Sequence, residues 1–132
     1  MASVDQVIFF NEPVEKQLGF AAMVKTGELI HLSGVLSIDE RLNVVAPGDM
    51  AGQIERVYDI LEATLALVRA DLSNVVNETI FVTDMQALAA AAAGRAKRYA
   101  KCAPPASTAV QVSALFFPGC VIEVQAVAQF RG

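Results

Sequence analysis

The residues able to do chemistry in this 132-residue chain converge on one apolar ribbon, Ala103–Ala128 (APPASTAVQVSALFFPGCVIEVQAVA). Two strand-like runs, Ser107–Val112 and Cys120–Gln129, flank a turn-prone linker that contains Pro118-Gly119. One carboxylate, Glu123, interrupts the Val and Ile of the second run, with Gln125 two residues on and Gln111 in the first run. Taking a charge out of water is costly, so a carboxylate in that setting has a partner or a task. The task would be general acid–base work, since an apolar cleft raises the pKa of a carboxylic acid. The structural alternative is a carboxylate bound by backbone amides or by a neighbouring subunit.

Ser107 and Thr108 offer hydroxyls for a polar ligand cradle, or for the backbone bonds that start a strand. No base stands beside Ser107, which argues against a covalent nucleophile. His31 is the only imidazole, and a lone histidine on a strand is more often structural than catalytic. Cys102 and Cys120 form no CxxC and lack a neighbouring histidine, so no metal site is expected. Cys120 reads as a small buried hydrophobe. Phe20, Phe116 and Phe117 could wall an apolar ligand, and Phe116-Phe117 could equally plug a subunit interface.

The elements that position these residues follow from periodicity. Val7–Phe10 is a brief strand candidate, broken by Asn11, Glu12 and Pro13. Gly19–Thr26 and Leu29–Val35 read as strands joined by a tight Thr26-Gly27-Glu28 turn. Ser33-Gly34 ends the alternation of the second, and a glycine there predicts a bulge or a close backbone approach. After a polar loop over Ser37–Gly48, Asp49 is the N-cap of an amphipathic helix over Met50–Ala70. Its apolar positions, Ile54, Val57, Tyr58, Leu61, Leu65 and Val68, recur at spacings of three and four. Val75–Val82 is a β-branched strand, and Asp84 caps an alanine-rich helix over Met85–Lys101. Along the last strand Ile122, Val124, Ala126 and Ala128 share one face, and Glu123, Gln125, Val127 and Gln129 the other. Two helices cover only one face of such a sheet. The other face, carrying Glu123, Gln125, Gln111 and His31, is expected to pack against symmetry mates.

Composition bounds the function. The length fits one domain over 1–132, with no repeat or linker. Hydrophobic residues make up 55% and charged residues 18%, yet no stretch reaches the roughly 18 apolar residues of a membrane helix. The excess points to a buried subunit contact. The N-terminus shows no signal peptide, so a cytoplasmic location with two free thiols is expected. Net charge is −4, which argues against nucleic acid as a partner. The basic cluster Arg95, Lys97, Arg98 and Lys101 closes a helix, where it complements the dipole.

From about Gly19 onward the chain resembles the RidA (YjgF, endoribonuclease L-PSP) family. The resemblance is carried by LIHLSGV after a Gly-Glu turn, Gln53 in the first helix, VVNETIFVTDM, and PPASTAVQV…PGCVIEVQAVA. It implies an α+β, chorismate-mutase-like fold: a mixed sheet of about six strands with two helices on one face. It also implies a homotrimer with a central barrel-like core, and small-molecule clefts between adjacent subunits. The activity implied is cofactor-free hydrolysis of an enamine or imine such as 2-aminoacrylate to a 2-oxo acid and ammonia. A translation-inhibiting endoribonuclease activity is ascribed to some relatives.

Carried over by position, Glu123 matches the family's water-directing glutamate, and Ser33-Gly34 the backbone that lines the cleft. Phe20 stands where a tyrosine is common, Ala109 where some members have cysteine, and Ala92 where some have asparagine. Ser107 stands where the family's arginine clamps the substrate carboxylate with a bidentate fork. A serine donates one neutral hydrogen bond, worth about 1 kcal/mol net against roughly 1.5–3 for a charged one. The ligand-binding set is therefore Phe20, Ser33, Gly34, Ser107, Thr108 and Ala109, with Glu123 catalytic. Hydrolysis of 2-iminopropanoate should be weak, and a non-catalytic ligand-binding trimer is the alternative.

Overall fold

The structure, a computed structural model, describes residues 6–130. The two ends of the chain, including the start to which the expected absence of a signal peptide refers, lie outside them. In chain order the elements are β1 (Gln6–Ile8), α1 (Glu12–Leu18), β2 (Met23–Thr26), β3 (Leu29–Leu32) and β4 (Val35–Leu36). Then come α2 (Met50–Ala66), a 3-10 turn (Leu72–Asn74), β5 (Val75–Val82), α3 (Met85–Arg98), β6 (Ala106–Gln111) and β7 (Ile122–Gln129). The fold is α+β with one mixed sheet of seven strands, ordered β1-β2-β3-β7-β5-β6, with β4 also pairing β7. Among the described residues only β5 and β6 run parallel, and α3 makes the crossover between them. No helix among the described residues is long and apolar enough to cross a membrane.

The expected faces of the sheet are observed. Ile30 and Leu32 of β3 and Ile122, Val124, Ala126 and Ala128 of β7 are buried against Ile54, Val57, Tyr58, Leu61 and Leu65 of α2. On the opposite face Leu29, His31 and Gln125 are exposed. Asp49 caps α2 by accepting from the Gly52 N–H at 3.1 Å, and Asp84 caps α3 by accepting from the Ala87 N–H at 3.1 Å.

Several boundaries and partners differ from expectation. A third helix, α1, occupies the segment read as a break. Proline is tolerated in a first turn because its missing N–H would be unpaired there anyway, and Gly19 closes the helix at φ 83°. α2 stops at Ala66 instead of running to Ala70. Arg69 takes a left-handed φ of 61°, and the Ala70 N–H donates back to the Leu65 carbonyl at 3.0 Å. That is a Schellman-type ending without its usual glycine. Gln111 does not join Glu123 and Gln125. It pairs with Val82, and its Oε1 accepts the Met85 N–H at 2.8 Å at the start of α3.

The basic cluster on α3 serves packing as well as the dipole. Arg98 reaches Glu62 at 2.6 Å, Asp59 at 2.8 Å and Glu55 at 2.9 Å on α2. Arg95 reaches through to Glu78 on β5 at 2.6 Å. Glu78 is fully buried and also accepts from the Tyr58 and Tyr99 hydroxyls. Burial, reinforced by Glu78, pushes both phenols above their ordinary pKa.

Candidate functional site

The site is built on a break in a strand. β3 and β4 pair with the same strand, β7, but the four steps from His31 to Val35 lie against three steps from Val127 to Val124. The extra residue is a bulge at Ser33-Gly34. Ser33 turns toward the end of β2: its N–H donates to the Ala22 carbonyl at 2.9 Å and its Oγ to the Ala21 carbonyl at 2.6 Å. Gly34 leaves vacant the space a side chain would take, and the Glu123 carboxylate lies in it. A Cβ on Gly34 would stand 1.9 Å from Glu123 Oε2, so only glycine permits this approach.

Glu123 is half-buried, and among the described residues no hydrogen bond or ion pair reaches its carboxylate. The reading in which backbone amides of this chain hold it is therefore not met. Burial, with no compensating donor, pushes its pKa above the ordinary carboxylate value. The neighbouring Cys120 thiol is also raised, first by burial and then by the charge of Glu123.

Glu123 opens on a cavity of about 730 Å³. Its walls are α1 (Val14, Leu18), the segment from β4 to Leu42, and the α2 stripe Arg56, Ile60, Thr64 at successive i,i+4 positions. Phe10, Phe20, Phe116 and Phe117 complete a mainly apolar lining. Phe116 and Phe117 meet edge to face, with ring centroids 4.9 Å apart. A second concavity of about 560 Å³, bordered by Phe81, Leu115 and Gln125, also touches Glu123 and Gly34. The carboxylate thus stands between the two.

Four of the expected site residues, Phe20, Ser33, Gly34 and Glu123, line the larger cavity together. Ser107, Thr108 and Ala109 do not. They lie on β6, whose six residues are all exposed. Strand pairing sets Glu123 opposite Phe81 and Phe81 opposite Val110, which puts Thr108 on the face of Glu123 but two residues farther along. Ser107 pairs with Glu78, and so falls on the face that the helices cover. One chain therefore does not bring Ser107 to Glu123. His31 shares the face of Glu123 but lies outside the cavity.

Sequence reasoning passed over three lining residues that matter to the electrostatics: Glu15, Asp39 and Arg56. Glu15 is buried in the unrecognised α1, and its Oε1 accepts the Phe10 N–H at 2.8 Å. Arg56 donates from Nε and Nη2 to the Ile38 carbonyl at 3.2 and 2.9 Å. The signal for Arg56 was its i,i+4 spacing from Ile60 and Thr64, a second helix face beside the core face. Among the described residues no three His, Cys, Asp or Glu side chains cluster as metal ligands.

Known proteins resemble this chain in sequence and in fold. Residues 12–130 match the endoribonuclease L-PSP family. Protein DfrA of Myxococcus xanthus is 40% identical over 109 residues, covering 82% of this chain and 81% of that protein. A RutC family protein of Pyrococcus abyssi is 29% identical over 122 residues, covering 92% and 94%. The crystal structure of yeast YEO7 superposes with a TM-score of 0.85 at 27% identity, covering 98% of this chain and 100% of the other. Rv2704 of Mycobacterium tuberculosis, a member of the YjgF/YER057c/UK114 family, superposes with a TM-score of 0.80 at 25% identity, covering 94% and 98%. With a family match over nearly its whole length and that fold, the chain belongs to the RidA/YjgF (endoribonuclease L-PSP) family.

Proposed function

We propose that this protein hydrolyses a small imine or enamine in the cavity beside Gly34, with Glu123 directing the water and no cofactor. The observation that carries the proposal is the Glu123 carboxylate itself: unpartnered among the described residues, half-buried, and seated in the space left by Gly34 at an apolar cavity. A carboxyl with its pKa raised by burial is suited to take a proton from water and return it to the departing nitrogen. In this proposal the protein is a cytoplasmic homotrimer. The exposed β6 of one subunit approaches the cavity of the next, bringing Ser107, Thr108 and Ala109 to the ligand. That arrangement accounts for a site whose residues are divided between two regions of one chain.

Ammonia release from a panel of imines tests this. At least one imine should be hydrolysed well above the buffer rate, and 2-iminopropanoate should be among the poorest. Ser107→Arg should raise the rate on 2-iminopropanoate. If every imine decays at the buffer rate, the second reading holds: a trimer that binds a small molecule without turnover, favoured by the missing arginine. Ribonuclease activity is the weakest reading. The net charge of −4 and the carboxylates lining the cavity oppose binding of a polyanion.

A further inference from the structure

The geometry points to a carboxylate-free, positively charged imine as the ligand of this cavity: an iminium on an apolar or aromatic body, not an imino acid. The inference rests on the hydrolase reading above and names its substrate class. Its first ground is the distribution of cations. From Cys102 to Phe130 the chain has no lysine or arginine. Whatever part of that ribbon faces the cavity, from the same chain or from a second copy, supplies no cation to hold a carboxylate.

The second ground is the cavity's own charge. Among the described residues Arg56 is the one cation in its lining, against the carboxylates Glu15, Asp39, Glu40 and Glu123. Two N–H groups of Arg56 are directed to the Ile38 carbonyl. Glu15 accepts from the Phe10 N–H, and Asp39 from the N–H groups of Arg41 and Asn43. Glu40 is exposed. Among the described residues Glu123 is thus the half-buried carboxylate left free for a ligand. An entering anion meets like charge, whereas a cation meets opposite charge.

The third ground is the ring lining. Phe10, Phe20, Phe116 and Phe117 present four aromatic rings in the lining. Ring faces attract organic cations and shelter an apolar body. The chemistry balances without a further reactant. Water oxygen bonds to the iminium carbon while a water proton passes to the Glu123 carboxylate. Glu123 then protonates the nitrogen of the carbinolamine. The C–N bond breaks, its electron pair leaves on ammonia, and the hydroxyl proton is released and taken up by that ammonia. In sum, one iminium ion and one water give one carbonyl compound and one ammonium ion.

Calorimetric titration and turnover separate this inference from the reading beneath it. The intact protein should bind 2-phenylethylammonium about tenfold or more tighter than 3-phenylpropanoate. Glu123→Gln should erase that preference, and Arg56→Gln should not weaken the ammonium. In turnover, 1-phenylethanimine should exceed 2-imino-3-phenylpropanoate by about tenfold or more in kcat/KM. Equal or tighter binding of 3-phenylpropanoate, above all if Arg56→Gln abolishes it, overturns the inference. So does failure of both probes to bind at about 1 mM. Preference for the ammonium with no imine turned over upholds the ligand class and defeats the hydrolase reading. Preferred turnover of the imino acid does the reverse.

Discussion

Glu123 carries a cost that titration can expose. Its folded-state pKa is raised by burial, so the folded protein binds that proton more tightly than the unfolded chain. The associated stability is present at low pH and is lost as pH rises through the folded pKa. Glu123→Gln, which mimics the protonated form, should therefore stabilise the protein at pH 7 relative to wild type, with a smaller gain near pH 4, as read from urea midpoints. A larger gain at pH 4 would contradict the burial argument. Glu78 is the opposite case: a carboxylate fully buried but tied to Arg95, Tyr58 and Tyr99. Glu78→Ala leaves buried donors unpaired and should cost about 3–5 kcal/mol in denaturant unfolding. Period-two alternation did contain that signal, since it sets Glu78 on the face of Ile80 and Val82. The identity of its partners was not legible, because two lie on α3 and its end, and one on α2, brought together only by packing.

At the scale of elements, legibility follows the strength of local signals. The bounds of β5 are legible to the residue, and the caps Asp49 and Asp84 hold the helices expected of them. Apolar periodicity and side-chain caps act within a few residues, so sequence shows them. The bulge is equally visible in Ser33-Gly34, because a glycine that interrupts alternation marks a bulge or a close backbone approach, and both occur here. α1 is hidden because Asn-Glu-Pro reads as a stop as readily as a start, and its seven residues give too little periodicity to decide. The end of α2 is hidden because Arg69, not glycine, adopts the left-handed turn. That conformation strains any residue with a Cβ. Arg69 is exposed, so Arg69→Gly should stabilise the protein by about 0.5–1 kcal/mol in thermal or denaturant unfolding. A loss of stability would show that another interaction of Arg69 outweighs the strain.

For the whole molecule, the sheet has one face closed by helices and an edge strand, β6, with every residue exposed. Leu29, Val76 and Val110 are exposed apolar residues on β3, β5 and β6. An uncovered parallel edge with apolar neighbours is a liability for a monomer and a ready contact for a second copy. The proposed trimer covers it and joins the two parts of the divided site. Val110→Lys should shift the species seen by sedimentation from trimer toward monomer and abolish turnover with it, since Ser107 and Thr108 would no longer reach a neighbour's cavity. An unchanged trimer would place the interface elsewhere. The fold was legible at this scale through the family resemblance. The same resemblance implied clefts between subunits, but not which copy would supply each residue, because motif order along a chain does not say so.

The role of Glu123 is read from the ammonia-release rates of wild type and Glu123→Gln on the best imine of the panel, at matched thermal stability. If Glu123 directs the water, kcat should fall by about 10²-fold or more in the variant. Equal rates would show that Glu123 does not direct the water.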